Sequence, residues 1–300
     1  MKLYQLSSSD QFIIAVEIDR GLINFTDAFQ VYNFIKKKRM MVKLSSIQDL
    51  ISLPDFSDEL ILRVFDYLET HNLWDQFVIK DEFSIRAPLS NPGKIICVGL
   101  NYLAHAAEGG HAVPDEPLFF GKVGSIVIGP EEVIHIPPGV GRVDHELELA
   151  VIISKKAYRV KQDDFENYIA GYTVFNDITA REKQRDFKKA GQPWFLSKNM
   201  DTFAPMGPCM VTPKELSFPF DLDLELTING EIKQKSNTGQ MIVKIPQLIQ
   251  SITQYLTLYP GDVISTGTAE GISPLKDGDL IEASIEKIGV LRNTVEEIHI

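Results

Sequence analysis

The sequence has 300 residues and a formal net charge of −11, because 41 Asp and Glu outnumber 30 Lys and Arg. Hydrophobic residues make up 44% of it, enough apolar surface to offset the chain entropy of folding, which excludes a fully disordered chain. So acidic a surface repels phosphate backbones, and we expect no nucleic-acid partner. Since no apolar run approaches the roughly 20 residues of a membrane helix, we expect no membrane association either.

The amino-terminal segment and the cysteines indicate the compartment. Residues 1–16 are interrupted by a lysine, several serines and an aspartate, a pattern that does not match a signal peptide. Cys97 and Cys209 both lie in apolar surroundings, which predicts free buried thiols in a reducing environment. We therefore expect a cytoplasmic protein.

The first part of the chain mixes strand and helix patterns. Residues 12–16 predict a strand, and apolar side chains recur at helical spacing over residues 60–68. Ser45 and Gln48 have the spacing of a capping box, which predicts the start of another short helix. These patterns predict a small α/β domain at the amino terminus.

A stretch rich in Pro, Gly, Asn and Ser at residues 87–93 predicts a domain boundary, with domains at 1–88 and 89–300. Beyond it, one longer helix is predicted near residues 245–258, opened by Pro246. Short strand-like runs separated by turns fill the rest, at residues 94–99, 125–129, 147–154, 169–175, 222–228, 262–266 and 280–285. The second domain is therefore predicted to be β-rich, and the fold class to be α+β.

Acidic side chains stand out in the segment 143–153, which predicts one continuous strand. Side chains alternate along a strand, so Glu146 and Glu148 share a face with Asp144. The Cα atoms of the two glutamates would lie about 7 Å apart. A hard divalent cation between the glutamates would remove their repulsion. A solvated strand face explains the same pattern without a metal.

A second acidic segment follows. The run ending at Asp177 predicts a strand, and the next residues predict a helix on which Asp177, Arg181 and Gln184 occupy one face. An N-cap aspartate with an ordinary salt bridge is the alternative. Carboxylates from two strand ends would together suit Mg²⁺, which takes few protein ligands and leaves positions for substrate oxygens.

At this point the sequence resembles the fumarylacetoacetate hydrolase family over residues 91–295. Six motifs occur in the expected order, at residues 97–102 with His105 and Glu108, 117–122, 144–148, 175–181, 197–198 with Asp201 and residues 207–208, and 260–268. The resemblance implies a mixed β-sandwich or roll as the catalytic domain, a homodimer, and a divalent metal. That metal is usually Mg²⁺, with Mn²⁺ or Ca²⁺ as substitutes, held by Glu146, Glu148 and Asp177. One departure is Ala269, where many members have a proline.

His105 and Glu108 lie three residues apart, so they share a face if this segment is helical. His105 is then predicted to be a general base that Glu108 orients. A surface histidine beside an acid is the alternative, and the following Gly109 and Gly110 predict a mobile lid.

Four further residues are candidates for the site. The family resemblance makes Lys198 a partner of a substrate carboxylate or enolate. Arg181 and Gln184 are candidates to grip the far end of the substrate, and Thr268 to bind an anionic oxygen.

These observations predict a Mg²⁺-dependent hydrolase that cleaves a C–C bond of an acylpyruvate, a small anionic keto acid, through pyruvate enolate. Decarboxylation or isomerisation of a keto diacid, and hydrolysis or dehydration of a ketodeoxy sugar acid, remain open on the same scaffold. A non-catalytic, β-rich binding protein also remains open. In that last case we would not expect the fold to bring together the carboxylates of Glu146, Glu148 and Asp177.

Overall fold

The computed structural model describes residues 1–8, 11–36, 44–108, 112 and 114–299. The strands within them are β1 (Lys2–Ser8), β2 (Gln11–Ile18), β3 (Gly21–Asn24), β4 (Ser84–Arg86), β5 (Ile95–Gly99), β6 (Leu118–Lys122), β7 (Val127–Ile128), β8 (Val133–Ile136), β9 (Val143–Asp144), β10 (Leu147–Ile153), β11 (Ile169–Asn176), β12 (Thr179–Ala180), β13 (Ala204–Val211), β14 (Asp223–Ile228), β15 (Glu231–Asn237), β16 (Val263–Ser265), β17 (Leu280–Ile285) and β18 (Gly289–Glu297).

The helices among the described residues are fewer than the strands. They are α1 (Phe25–Ile35), α2 (Ile47–Ile51), α3 (Asp58–Thr70), α4 (Trp74–Phe77), α5 (Leu103–Glu108), α6 (Arg181–Lys189), α7 (Phe195–Lys198) and α8 (Ile245–Thr253), with 3₁₀ turns at Gly124–Ile126, Gln162–Tyr168 and Thr238–Gln240. No helix among the described residues is long and apolar enough to cross a membrane.

Most strands join one mixed sheet, which has eleven strands among the described residues. Its order is β3-β2-β1-β13-β11-β10-β16-β5-β6, with β4 beside β1 and β7 beside β13. A second sheet has the order β15-β14-β17-β18-β8. The pairs β16–β5, β13–β7 and β18–β8 are parallel, whereas the other pairings are antiparallel.

Strands β10 and β11 form the centre of the larger sheet, and every residue in both is buried. Strand β11 contacts β17 and β18 of the second sheet, so the two sheets pack face to face over this centre. Strands covered on both faces need apolar side chains on both, which the run Leu-Ala-Val-Ile-Ile of β10 supplies. This arrangement confirms the predicted α+β, strand-rich fold with a sandwich core.

The amino-terminal region extends the larger sheet. Strand β1 pairs with β13, placing Leu3 opposite Met210, and β2 and β3 continue the sheet outward. Helices α1 and α3 pack together, and α1 also packs against β2. Buried residues of this region and of the rest of the chain form one continuous hydrophobic core.

Each predicted strand overlaps an observed one, but several boundaries differ. The segment 143–153 is not one strand, because the chain leaves the ladder at His145 and Glu146 between β9 and β10. Helix α8 ends at Thr253, five residues earlier than predicted. The capping box is formed by Ser46 and Asp49, because the carboxylate of Asp49 accepts the hydrogen bond from the Ser46 amide.

We expect Leu3→Ala to lower the free energy of unfolding by about 2–5 kcal/mol, because it leaves a cavity where the two regions share a core. The exposed Leu62 on α3 is the matched control, and Leu62→Ala should change it by less than about 0.5 kcal/mol. Urea denaturation followed by circular dichroism measures both. Equal effects of the two substitutions would show that β1 adds nothing to the shared core.

Candidate active site

The carboxylates of Glu146, Glu148 and Asp177 meet at one end of the central strands. Leu147 lies opposite Asn176 in the β10–β11 ladder, so the two glutamates flank a position whose partner immediately precedes Asp177. One oxygen from each acid lies within 4.8 Å of the others, and all three side chains are buried. The structure therefore brings these three residues together, and burial rules out the solvated strand face.

The donor set suits a divalent cation. Burial, and then the negative charges of Asp177 and Glu146, raise the pKa of Glu148 from its ordinary 4.5 to about 8. The Oε2 atom of Glu148 accepts hydrogen bonds from the Ser265 hydroxyl and, at 2.8 Å, from the Gly267 amide. These bonds hold the carboxylate in place. Three fixed carboxylates fit Mg²⁺, Mn²⁺ or Ca²⁺, all of which take oxygen ligands.

Two buried lysines lie against the same acids. Lys122 Nζ donates to Asp177 Oδ1 at 2.6 Å, and Lys198 Nζ donates to Glu146 Oε2 at 2.9 Å and to Asp177 Oδ2. Although burial opposes its charged form, the carboxylates of Asp177 and Glu146 raise the pKa of Lys198. Burial lowers the pKa of Lys122. The sequence alone assigned no role to Lys122, and its contact with Asp177 shows that it orients this acid.

The guanidinium of Arg181 donates hydrogen bonds to two carboxylates of the site. Its Nε donates to Asp144 Oδ2 at 2.8 Å, and its Nη2 donates to Glu146 Oε1. Arg142 Nε holds the second oxygen of Asp144 at 2.6 Å. Burial alone would raise the pKa of Glu146, but the positive charges of Lys198 and Arg181 outweigh this effect and lower it.

The prediction that one helical face carries Asp177, Arg181 and Gln184 is wrong in part. Helix α6 begins at Arg181, because Thr179 and Ala180 stay extended and pair with β9. Asp177 reaches the site as the residue after β11. Arg181 and Gln184 do share the helix, and Arg181 Nη1 donates to Gln184 Oε1 at 2.8 Å.

His105 and Glu108 lie near each other on α5. The Nδ1 atom of His105 is 3.6 Å from Glu108 Oε2, too long for a hydrogen bond, and it has no partner among the described residues. Glu108 instead accepts from the Gly271 amide at 3.2 Å. Burial lowers the pKa of His105, which favours the neutral imidazole that a general base requires. The predicted lid at residues 109–110 lies outside the described residues.

Thr268 borders the site, but its hydroxyl is already engaged. It donates to the Leu147 carbonyl at 2.9 Å and accepts from Gln234 Nε2 at 2.9 Å. Gln234 is a residue that sequence reasoning missed. It lies on β15 of the second sheet, 2% exposed, in a segment whose sequence matches no motif.

Glu146 and Glu148 line a cavity of about 810 Å³, within the usual range for small-molecule sites. One side is the face of α6, where positions i, i+3, i+4 and i+7 are occupied by Arg181, Gln184, Arg185 and Lys188. Lys188 Nζ lies 4.3 Å from the centre of the Trp194 ring. Arg185 forms no ion pair within the described part of the chain. This basic face, formed by Arg185 and Lys188, can bind a negatively charged group at the cavity mouth.

Comparisons with known proteins identify the relatives of this chain. The family model described as fumarylacetoacetate (FAA) hydrolase C-terminal matches residues 94–296. An uncharacterised protein of Pyrococcus abyssi is 50% identical over 204 residues, which cover 68% of this chain and 90% of that protein. The mitochondrial oxaloacetate tautomerase of Rattus norvegicus is 41% identical over 223 residues, covering 72% of this chain and 70% of that protein.

A solved structure extends the likeness to the whole chain. The fumarylacetoacetate hydrolase of Exiguobacterium antarcticum superposes with a TM-score of 0.78 at 28% identity, covering 99% of this chain and 100% of that one. The family match spans most of the described β-sandwich and includes each of the three converging acids. The chain therefore belongs to the fumarylacetoacetate hydrolase family.

Proposed function

We propose that this protein is a divalent-metal-dependent enzyme that interconverts the keto and enol forms of a short 2-keto dicarboxylic acid. The observation that carries this proposal is the convergence of three buried carboxylates, two of which, Glu146 and Glu148, line a cavity with a basic face. Glu146, Glu148 and Asp177 would hold the metal. When bound, Mg²⁺ supplies Lewis-acid stabilisation of the negative charge on the keto oxygen.

The neighbouring residues can move the proton. Neutral His105 takes a proton from C3 of the keto acid. The electron pair of that C–H bond forms the C2–C3 double bond, and the π pair of the keto C=O bond moves to its oxygen. Return of the proton to this oxygen completes the enol, so no atom is gained or lost. The protonated ammonium of Lys198 adds fixed positive charge beside the acids, where negative charge develops.

The basic face supports the choice of a dicarboxylic substrate. Arg185 and Lys188 lie at the mouth of the cavity, while the acids and Lys198 lie deeper. A second carboxylate on the substrate would give these cations an anionic partner. Oxaloacetate is such a diacid, and it is the compound in the name of the rat relative.

Hydrolytic cleavage of an acylpyruvate is the second candidate function. The burial of His105 beside the cavity supports it, because a neutral imidazole can activate a water molecule. The similarity to the hydrolase of Exiguobacterium antarcticum supports the same reaction. Tautomerisation forms an enolate by loss of a proton from C3, whereas hydrolytic cleavage and decarboxylation form one by breaking a C–C bond, so the same site can stabilise the negative charge in all three reactions. The homodimer and the cytoplasmic location stay predictions.

We expect Glu148→Gln to abolish Mn²⁺ binding and turnover together, because a neutral amide is a poorer ligand for a hard cation. Isothermal titration measures the binding, and a thermal scan measures the stabilisation, about 2.7 kcal/mol at a metal concentration 100 times the Kd. Glu225→Gln, on β14, is the control and should behave like the unaltered protein. Full activity of Glu148→Gln at low metal concentration would contradict the metal site.

The raised pKa of Glu148 predicts a pH dependence. Without metal, the protonated carboxyl stabilises the folded state most at pH values below 4.5, and this contribution is lost as the pH rises towards 8. Metal binding displaces that proton, so the apparent Mn²⁺ affinity should rise about tenfold per pH unit up to pH 8 and then level off. Titrations at several pH values measure the Mn²⁺ affinity. An affinity that does not change between pH 6 and pH 8 would contradict this prediction.

We expect His105→Ala to slow oxaloacetate tautomerisation by about 10² to 10⁴-fold and to leave Mn²⁺ binding within about twofold. Enol absorbance follows tautomerisation, and product analysis of an acylpyruvate follows cleavage in parallel. Loss of cleavage alone would favour the hydrolase. Unchanged rates of both reactions would remove His105 from the mechanism.

We expect the double substitution of Arg185 and Lys188 to Gln to raise KM about tenfold or more for a keto diacid, since charge-assisted hydrogen bonds contribute about 1.5–3 kcal/mol each. KM for pyruvate-like monoacids should not change. Lys183→Gln, on the same helix but outside the cavity lining, is the control. An equal rise for monoacids and diacids would contradict a role in binding the second carboxylate.

A further inference from the structure

We propose that Gln234 is a positioning residue that holds the two walls of the candidate metal site in register. The inference rests on the proposed metal site and concerns how the chain builds it. Gln234 lies on β15, at the edge of the second sheet, and is almost completely buried. Its side chain crosses from that sheet to the start of β10 and to the loop after β16.

A β-bulge directs Gln234 towards the site. Gln234 lies opposite Leu226 and Ile232 opposite Thr227, so the intervening Lys233 has no partner in the ladder. The loop after β16 packs directly on this bulge. A Cβ atom on Gly271 would lie 2.1 Å from the Lys233 carbonyl oxygen, so only glycine permits this approach.

The amide of Gln234 has one possible orientation. Its Oε1 accepts from the Leu147 amide at 3.0 Å, and its Nε2 donates to the Ala269 carbonyl at 2.9 Å. A backbone N–H can only donate and a backbone carbonyl can only accept. These two contacts with backbone groups of opposite kinds exclude the flipped amide.

The remaining protons of the network follow from this orientation. The Nδ1 atom of His145 lies 3.0 Å from Gln234 Oε1 and must therefore carry a proton, while its Nε2 lies 2.9 Å from the Ser273 hydroxyl. Because the Thr268 hydroxyl accepts from Gln234 Nε2, its own proton goes to the Leu147 carbonyl. Gln234 thus bonds to four groups on two separate segments.

Those two segments are the walls of the metal site. Leu147 lies between Glu146 and Glu148, so its amide fixes the backbone that carries both acids. The loop on the other side contributes the Gly267 amide, which orients Glu148. Loss of the Gln234 amide would leave the Leu147 N–H and the Ala269 carbonyl buried without this partner, and the two walls could separate.

The test is the Mn²⁺ affinity of Gln234→Met, a substitution close in shape that removes every one of these hydrogen bonds. We expect the Kd to rise about 10- to 100-fold, as it does when groups that orient metal ligands are lost. The kcat for oxaloacetate at saturating Mn²⁺ should fall as well. Isothermal titration is run at a temperature where circular dichroism shows each variant fully folded.

Asn293→Leu is the matched control. Asn293 on β18 is equally buried and its Nδ2 donates to the carbonyls of Gly129 and Glu132, none of which belongs to the site. The Asn293→Leu substitution should lower the free energy of unfolding without changing the Mn²⁺ Kd. If Gln234→Met does not fold, Thr268→Val replaces it, because it removes only the hydroxyl of the network and should raise the Kd by a smaller factor.

An unchanged Kd in folded Gln234→Met, or in Thr268→Val if that variant has replaced it, would overturn this inference and leave the metal site standing. An equal rise in Asn293→Leu would overturn it too, since any buried polar loss would then have the same effect. Absence of Mn²⁺ binding to the unaltered protein would overturn the proposed function and this inference together.

Discussion

The repulsion among three buried carboxylates governs the rest of this structure. Like charges about 4 to 5 Å apart repel by about 3–4 kcal/mol per pair at an effective dielectric constant of about 20. A fold keeps such a cluster only if cations or protons offset it. Lys122, Lys198 and Arg181 supply the cations, and burial together with the remaining negative charge of Asp177 and Glu146 raises the pKa of Glu148, which favours a proton there.

This balance explains how an acidic protein could accept the anionic substrate that we propose. The chain carries a net charge of −11, yet its cavity has cations on α6 and buried lysines beside the acids. A divalent ion would replace the proton of Glu148 and raise the local positive charge further. The positive charge at the cavity would then oppose the repulsion between the acidic surface and an anionic substrate.

The central part of the site could be predicted from the sequence because its acids lie at the ends of adjacent strands. Glu146, Glu148 and Asp177 belong to short contiguous motifs of the family resemblance, and the antiparallel pairing of β10 with β11 brings together the strand ends near which they lie. The free, buried state of Cys97 and Cys209 was predictable for a similar reason, since both lie in apolar runs. Local pattern and burial decide such features.

Features that depend on distant contacts were not predictable. Gln234 lies 87 positions from its partner Leu147 along the chain, and its neighbours give it the pattern of an ordinary strand. The break between β9 and β10 arises because the amide of Glu146 bonds to the Asn176 side chain instead of continuing the ladder. Asp177 is outside α6 because Thr179 pairs with Asp144. Each outcome is set by tertiary pairing that a single segment does not record.

Anomalous diffraction from a crystal soaked in Mn²⁺ tests the central claim most directly. We expect one strong peak between the carboxylates of Glu146, Glu148 and Asp177, with oxygen ligands at about 2.1–2.3 Å, near the distances known for Mg²⁺ and Ca²⁺. A cluster without a peak at saturating Mn²⁺, with Lys198 still bridging Glu146 and Asp177, would contradict it.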